Sequence, residues 1–459
     1  MRSSFVGRAG LASLSFIAAL PFTACSGDGE TTAGDGLAAR GGETTTPEML
    51  SPAPARPPAP AAGSPCAADP EGVTVLERPM FPDREGSPTF GYSYKLYPGT
   101  DPNAATVIYV PGGPGQPGID VERDPDYAPL EYPHIQTDLR GIGCNAPETV
   151  EHYPDEFYRS EFFADDVIAI VEDLGLDNYV LYGISYGTAL ATMVASRIEA
   201  RGLPPPRALV LEGVLGGAFT SDLPGTEAAF VERWRLVRDS LDESIRSQLV
   251  AEPLPLDLTP EQWGAGITGG LGVAEFPGFT DPGYLGLMLG NLAPGLSEEE
   301  RNSLRDVILD AGASTVDVMG DRLHHLVSCH EFSETEYVSL KLEAGELVPT
   351  RFDCTEVALS EPFSAADWPV HVPIYYFSGT LDPNTPPWQA SAHFNAQTAA
   401  PRQVVHVLGG GHNARIFNLG DCAGPLWQTM TGGGDLTAAV ATCSWPHALQ
   451  VAPPVAAAP

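Results

Sequence analysis

The five residues Gly183-Ile184-Ser185-Tyr186-Gly187 form a G-x-S-x-G motif, the strongest chemical signal in the sequence. The apolar run Tyr179–Tyr182 before the motif is typical of a buried strand, and the stretch Thr188–Glu199 after it predicts a helix. A serine on a sharp strand-to-helix turn exposes its hydroxyl as a nucleophile, and the flanking glycines allow the two backbones to approach closely. This context favours Ser185 as a nucleophile over an idle serine in a glycine-rich turn.

A serine nucleophile needs a histidine base and an acid that orients the base, in the chain order Ser, Asp or Glu, His. Asp382 follows the predicted strand Ile374–Ser378, and we predict that it is the acid, with Glu212 at the end of an earlier strand as the rival. His412 follows a strand and the run Gly409-Gly410-Gly411, and we predict that it is the base. The other histidines after Asp382 are His393, His406 and His447.

Backbone N–H groups are expected to stabilise the negative charge that develops on a tetrahedral intermediate. One donor should be the amide of Tyr186, directly after the predicted nucleophile. The second should come from Pro111-Gly112-Gly113-Pro114-Gly115, which follows the predicted strand Thr106–Val110. Proline has no N–H, so Gly113 is the natural donor, although Gly-Gly-Pro-Gly is also ordinary turn chemistry.

The elements that must position these residues alternate between strands and helices. Further strands are predicted at His134–Asp138, Asn178–Tyr182, Ala208–Glu212 and Val404–Leu408, the last of the series, and a helix is predicted from Ala164 to Leu174. Such alternation predicts an α/β fold with a mostly parallel central sheet and helices on both faces. The segment 218–368 has amphipathic helical patterns instead, and we expect a mostly helical cap inserted between two strands of a core formed by 66–217 and 369–450.

Composition limits the function. The 459 residues carry 24 Lys and Arg against 59 Asp and Glu, a formal net charge of −35. Such a surface repels phosphate backbones, so nucleic acid is excluded as a partner. The mean hydropathy of −0.05 excludes a protein with several membrane spans.

The N-terminal segment 1–25 predicts export. Arg2 and Arg8 precede the apolar run Leu11–Phe22, and Cys25 follows a pair of small residues. The arrangement is similar to a bacterial lipoprotein signal, which implies a lipid on Cys25 and attachment to the cell envelope, with plain secretion as the alternative. Residues 26–65 are rich in Pro, Ala, Gly and Thr and should form a tether, and residues 451–459 are expected to be a disordered tail.

The six other cysteines form an even set, which suits disulfide bonds in an oxidising compartment. They are Cys66, Cys144, Cys329, Cys354, Cys422 and Cys443. These cysteines allow about 15 pairings, and pairing between neighbours favours Cys66–Cys144, Cys329–Cys354 and Cys422–Cys443. The alternative is a metal site at His324, His325, Cys329, His330 and Glu331, but no second half with ligand spacing is present, so no metal is expected.

Several motifs occur in one order along the chain. They are the Gly-Gly-Pro-Gly loop, Asp138-Leu139-Arg140-Gly141, the Ser185 motif, Gly379-Thr380-Leu381-Asp382-Pro383 and Gly410-Gly411-His412. Together they resemble the α/β-hydrolase peptidases of the prolyl iminopeptidase and tripeptidyl aminopeptidase group, and especially its secreted tripeptidyl aminopeptidase branch. Pro111 departs from this pattern, since the iminopeptidases usually have His there. The resemblance implies cleavage at free peptide N-termini, an acidic cap residue that receives the substrate ammonium, for which Glu331 is the candidate, and no metal or organic cofactor.

Three functions compete at this point. The first is an exported serine aminopeptidase whose partner is a peptide substrate and whose membrane contact is limited to the lipid anchor. The second is an esterase or lipase-like hydrolase with the same three residues and a different cap. The third is a catalytically inactive binding module, which the joint presence of Ser185, Asp382 and His412 disfavours. Hydrolases of related fold with an Asp nucleophile are disfavoured by Ser185.

Overall fold

The structure is a computed structural model, and it describes most of the chain after residue 71. The predicted signal segment, the tether, Cys25, Cys66, Cys354 and His447 lie outside the described residues. The described ranges are 72–115, 117–119, 129, 131–146, 153–218, 226–272, 283–292, 295–316, 321–332, 336–353, 361–412, 422–443 and 449–458.

A nine-stranded sheet forms the centre of the described chain. Its strands are β1 Val73–Pro79, β2 Thr89–Tyr97, β3 Thr106–Val110, β4 His134–Thr137, β5 Tyr179–Ile184, β6 Leu209–Glu212, β9 Ile374–Gly379, β10 Arg402–Val407 and β11 Leu449–Val451, while β7 (Glu336–Glu343) and β8 (Glu346–Asp353) form a separate hairpin. The order of the nine strands in the sheet is β1-β2-β4-β3-β5-β6-β9-β10-β11. The neighbours from β4 to β10 pair in parallel, while β1, β2 and β11 pair antiparallel at the two edges. The predicted mostly parallel sheet is therefore confirmed.

Helices cover both faces of this sheet, as predicted. They are α1 Ser160–Leu174, α2 Tyr186–Ala200, α9 Pro387–Ala396, α10 Ala423–Thr431 and α11 Thr437–Val440. Alternate strand residues point to opposite faces: Ile108 and Leu181 pack with α1 and α2, whereas Val107 and Val180 pack with α10. The central strands are consequently apolar on both faces, which is why they appear in the sequence as short continuous apolar runs.

The cap lies between β6 and β9 and has a hydrophobic core of its own. Its helices are α3 Thr226–Ser240, α4 Glu243–Leu249, α5 Pro260–Gly272, α6 Gly283–Gly290, α7 Glu298–Val316 and α8 Asp321–Val327. Trp234 and Trp263 are fully buried in its core. The chain enters and leaves the cap side by side, because Gly217 forms an antiparallel bridge with Ser364.

The cap also contains a two-stranded hairpin that the sequence analysis did not predict. Strands β7 Glu336–Glu343 and β8 Glu346–Asp353 pair antiparallel around the two-residue turn Ala344-Gly345. Both turn residues have positive φ, 48° and 79°, which is the geometry of a type I′ turn. The first turn residue is alanine, which is rare at such a position, and the usual Asn-Gly or Asp-Gly signal is therefore absent.

The prediction that residues 451–459 are a disordered tail is wrong for the described residues 451–458. Arg402 and Val455 exchange two backbone hydrogen bonds of 2.8 Å each, and the N–H of Ala458 donates to the carbonyl of Thr398. β11 pairs with the same outer edge of β10, so β10 is not the last strand. An open edge strand presents unpaired backbone groups, and the tail satisfies them in extended form despite its prolines.

One predicted disulfide is present in full, between Cys422 and Cys443. Cys144 and Cys329 are also disulfide-bonded, while Cys66 and Cys354, their predicted partners, lie outside the described residues. No helix in the described part of the chain is long and apolar enough to cross a membrane.

Candidate active site

Ser185 occupies a sharp turn between β5 and α2. Its backbone angles are φ 54° and ψ −125°, a strained conformation for a residue with a side chain. The flanking glycines are required by contact: a Cβ atom at Gly187 would lie 2.1 Å from the carbonyl oxygen of Val110, and one at Gly183 would lie 2.4 Å from the carbonyl oxygen of Gly187. The motif therefore has the geometry of a nucleophile elbow, with Ser185 at the carboxyl end of the sheet.

Asp382 lies in the loop after β9, and its carboxylate is buried and fixed by the residues that follow it. Oδ1 accepts the backbone N–H groups of Asn384 and Thr385 at 2.8 and 2.9 Å, and Oδ2 accepts the Thr385 hydroxyl at 2.6 Å. The loop thus presents an oriented acid at the carboxyl end of β9.

His412 lies in the loop after β10 and contacts Asp382. Its Nδ1 is 3.0 Å from Oδ2 and 3.1 Å from Oδ1 of that carboxylate. The imidazole also packs at the carboxyl end of β6, since a Cβ atom at Gly213 would lie 3.0 Å from its Cε1. Ser185 reaches the same place, because its N–H donates to the carbonyl of Glu212 at 2.9 Å. The structure therefore brings the ends of β5, β6, β9 and β10 together around these three side chains.

Glu212, the rival acid, and His393, one of the other histidines after Asp382, have other partners. Glu212 is fully buried and its carboxylate accepts the Tyr182 hydroxyl at 2.7 Å. His393 is fully buried between the hydroxyls of Thr192 and Tyr376, at 2.9 and 3.0 Å from its two ring nitrogens. Burial lowers the pKa of His393 to about 3, so this imidazole is neutral at ordinary pH. Both residues are accounted for by the core.

The two predicted amide donors lie in the elbow itself and in the loop after β3. Tyr186 is the first residue of α2, where a helical N–H has no partner within the helix. Gly113 follows β3 with φ 110°, in the left-handed region that glycine tolerates. In the described ranges the N–H of Gly113 makes no backbone hydrogen bond. Close packing of Gly187 on Val110 and Pro111 joins the two donor segments.

Glu331 is buried in a hydrogen-bonded cluster with Ser160 and Tyr186. Its Oε1 accepts the N–H of Ser160 at 3.0 Å, and its Oε2 accepts the Ser160 hydroxyl. The Ser160 oxygen contacts the Tyr186 hydroxyl. Burial, and next the charge of Glu331, raise the pKa of Tyr186 well above its usual value, so Tyr186 stays protonated and donates to Ser160. Glu331 belongs to the π-helical turn Ser328–Phe332, which directly follows α8.

Nothing in the sequence predicted a role for Ser160. It is separated from Glu331 by 171 positions in the chain, and it begins α1, where its N–H is free of intrahelical bonding and favours a negative charge. No local sequence signal connects these two residues. The contact joins the core to the cap directly beside the residue that follows Ser185.

The alternative of a metal site near Glu331 has no support in the described residues, where no group of three or more His, Cys, Asp or Glu could hold a metal ion. Cys329 is disulfide-bonded, so it has no thiolate to offer as a ligand. The side chain of His325 lies outside the described part of the structure.

Comparison with known proteins agrees with the observed sheet and elbow. A family model described as alpha/beta hydrolase fold matches residues 105–239, the part of the chain that includes Ser185. The strand order, the parallel core and this match show that the chain has the α/β-hydrolase fold, with a cap inserted after β6. No curated protein sequence gives a significant match.

Solved structures similar to this chain include proteins of different activity. A proline iminopeptidase from Mycobacterium smegmatis has 15% identity and a TM-score of 0.41, with 78% of this chain and 98% of that chain covered. An esterase from Rhodococcus sp. ECU1013 has 14% identity, coverage of 74% and 91%, and a TM-score of 0.36. A putative non-heme bromoperoxidase from Mycobacterium tuberculosis H37Rv has 14% identity, coverage of 76% and 98%, and a TM-score of 0.37.

Proposed function

We propose that this protein is an exported serine hydrolase, and that it is an aminopeptidase that releases residues or short peptides from free peptide N-termini. The observation that carries the proposal is the contact of His412 Nδ1 with the buried Asp382 carboxylate at 3.0 Å, at the sheet end where Ser185 forms its strained turn. A serine, a histidine and an oriented carboxylate are the groups that acyl transfer requires.

The proposed reaction proceeds through an acyl-enzyme. Ser185 Oγ attacks the carbonyl carbon of the scissile bond while His412 Nε2 takes the hydroxyl proton. The tetrahedral intermediate then collapses, the leaving amine takes that proton from His412, and the acyl group stays on Ser185. Water repeats the sequence as the nucleophile and releases the acid. Asp382 keeps the Nδ1 proton of His412 in place and stabilises the imidazolium that forms in each half.

The negative charge on the intermediate is stabilised by the N–H groups of Tyr186 and Gly113. Because both are backbone groups held by packed segments, they need no rearrangement when the charge develops. Position 111 supplies neither of these N–H groups, so the departure at Pro111 bears on substrate selection.

The position of Glu331 favours a peptidase. A free peptide N-terminus carries an ammonium group, and its removal from water must be compensated by an opposite charge. Glu331 is 2% exposed and is linked through Ser160 to Tyr186, the residue after the nucleophile. We therefore propose that Glu331 receives the ammonium of a substrate bound at Ser185.

Export and anchoring are part of the proposal. The basic start, the apolar run and Cys25 support lipidation, and residues 26–65 would hold the folded body away from the membrane. The disulfide between Cys422 and Cys443, and the disulfide-bonded state of Cys144 and Cys329, suit an oxidising compartment.

An esterase is the second candidate, since the same three residues hydrolyse esters. The test is a panel of aminoacyl and tripeptidyl p-nitroanilides with free N-termini, the same anilides N-acetylated, and short p-nitrophenyl esters. An aminopeptidase should cleave the free anilides and lose activity on the acetylated ones. Hydrolysis of esters with no cleavage of any free anilide would contradict the peptidase assignment.

Replacing Glu331 by Gln locates the ammonium site within the same panel. Loss of a charge-assisted contact should lower kcat/KM for free-amine anilides by about 2 kcal/mol or more, roughly 30-fold. Rates for the esters should stay within about twofold because they carry no ammonium. Glu361 is an exposed acid near the cap exit, so Glu361→Gln is the matched control. A loss shared equally by all substrates would argue against Glu331 as the ammonium acceptor.

A further inference from the structure

Asp138 directly follows β4 and is fully buried at the sheet end where the candidate site lies. Its carboxylate accepts three backbone N–H groups from two separate loops. Oδ1 accepts those of Gly118 and Ile119 at 2.6 and 2.8 Å, and Oδ2 accepts that of Cys144 at 2.7 Å. Such a carboxylate holds the two loops together, because moving either loop would take hydrogen-bond donors away from a buried carboxylate.

The loop held by Oδ1 is the continuation of the Gly-Gly-Pro-Gly segment that contains Gly113. Gly118 is packed closely between Thr137 and Pro111: a Cβ atom at Gly118 would lie 2.3 Å from the carbonyl oxygen of Thr137 and 3.2 Å from Cβ of Pro111. The loop therefore packs against its own first residue, so the hydrogen bond from Gly118 to Asp138 also fixes the position of Pro111.

The opposite side of the same loop touches the nucleophile elbow. A Cβ atom at Gly187 would lie 2.1 Å from the carbonyl oxygen of Val110 and 2.8 Å from that of Pro111. Gly113 thus lies in a segment held by the elbow on one side and by Asp138 on the other. The distance between the Gly113 and Tyr186 donors depends on both contacts.

The second loop held by Asp138 is equally constrained. A Cβ atom at Gly143 would lie 2.3 Å from Oδ2 of Asp138, and the Asn145 side chain donates to the backbone carbonyl of Asp138 at 2.8 Å. The next residue after Gly143 is the disulfide-bonded Cys144. Asp138 is therefore held by a turn that a disulfide bond restrains, and its hydrogen bonds to Gly118 and Ile119 restrain the loop of Gly113 in turn.

We propose that Asp138 is a positioning residue for catalysis, one that sets the location of the Gly113 N–H relative to Ser185. The inference rests on the proposed serine hydrolase function. It predicts that loss of the Asp138 contacts lowers transition-state stabilisation while substrate binding in the ground state is kept.

The test is Asp138→Asn, assayed on a p-nitrophenyl ester or anilide that the wild type cleaves. An asparagine cannot accept hydrogen bonds on both of its terminal atoms, so either the Gly118 and Ile119 donors or the Cys144 donor must move away. Removal of an oxyanion donor costs about 100- to 1000-fold in kcat, and displacement of the donor should cost roughly 30-fold with KM within about twofold.

Binding of phenylboronic acid separates positioning from general stability. Its boron becomes tetrahedral when Ser185 Oγ adds to it, so its affinity should fall by the same factor as kcat/KM. Asp165→Asn is the matched control, since Asp165 is also buried but its carboxylate pairs with Arg197 and Arg201, outside both loops held by Asp138. This control should lower Tm and leave kcat of the folded protein within about twofold.

Gly118→Ala provides a second variant that keeps Asp138 and displaces the same loop, and it should show the same loss of kcat and of boronate affinity. If both variants keep the wild-type kcat, or if their loss appears in KM alone, the inference is wrong. Failure of the proposed function gives a different pattern, because Ser185→Ala would then keep the activity that the panel measures.

Discussion

Replacing Asp382 by asparagine should nearly abolish turnover while leaving the fold intact. The structure determines how the new amide would be oriented. Oδ1 accepts two backbone N–H groups, from Asn384 and Thr385, so the asparagine oxygen must take that position. The amide NH2 then takes the position of Oδ2, 3.0 Å from Nδ1 of His412. The Thr385 hydroxyl can rotate to accept from it.

This orientation imposes the wrong tautomer on the base. The asparagine oxygen, 3.1 Å from Nδ1, already accepts two N–H groups, so the NH2 group at 3.0 Å favours Nδ1 as an acceptor. The imidazole proton then moves to Nε2, and a protonated Nε2 cannot accept the Ser185 proton. The corresponding change in a Ser-His-Asp triad costs about 10⁴-fold in kcat, which is about 5 kcal/mol. We expect a loss of this size for Asp382→Asn, with KM within about threefold.

The assay is steady-state hydrolysis of the best chromogenic substrate, with the thermal midpoint of each variant measured beside it. Glu212→Gln is the matched control, because Glu212 is the other buried acid at a neighbouring strand end and contacts Tyr182. It should keep kcat within about threefold. A loss below about tenfold for Asp382→Asn, together with a larger loss for Glu212→Gln, would refute the reasoning and assign the acid to Glu212.

Three further predictions concern stability and location. Burial lowers the pKa of His393 to about 3, so below about pH 6.5 the unfolded state binds a proton that the folded state does not. The free energy of unfolding, measured by denaturant titration, should therefore fall by about 2 kcal/mol from pH 7 to pH 5. This fall should be smaller in His393→Gln than in the exposed control His371→Gln. Replacing both Cys422 and Cys443, which are 21 positions apart, by Ser should lower stability by about 3 kcal/mol, measured as a lower urea midpoint. Cys25→Ser should move the protein from the membrane fraction to the soluble exported fraction of an expressing bacterium, and wild-type protein found in the soluble fraction would contradict the anchor.

The sheet could be predicted because its central strands are short, apolar and separated by turn signals. Thr106–Val110 has the predicted bounds, and Ile374–Gly379 differs by one residue. Parallel strands direct their carboxyl ends to one edge, so the residues after β5, β9 and β10 could be expected to meet once the strands were identified. Ser185, Asp382 and His412 follow those three strands.

The hairpin and the tail were missed for physical reasons of a different kind. The turn of the hairpin places Ala344 at positive φ, against its intrinsic preference, and the surrounding cap must stabilise it. The tail pairs with β10 because that edge is open in the folded sheet. A local sequence pattern contains no information about either condition.

Long-range contacts of buried polar groups could not be predicted from the sequence either. Ser160 and Glu331 are 171 positions apart in the chain, and Asp138 and Gly118 are 20 positions apart. Each contact depends on where the completed sheet and cap place two turns. The motif order drew attention to Asp138 and the family resemblance to Glu331, but their partners Gly118 and Ser160 followed only from the fold.

The most direct test of the account is covalent labelling of Ser185. A fluorophosphonate probe should phosphonylate the folded wild-type protein at one residue, with loss of fluoride, and peptide mass spectrometry should locate the adduct on Ser185. Ser185→Ala should not be labelled and should show background turnover, while the exposed control Ser391→Ala should be labelled as the wild type is. Labelling that persists in Ser185→Ala, or an adduct found on another residue, would contradict the assignment of Ser185 as the nucleophile.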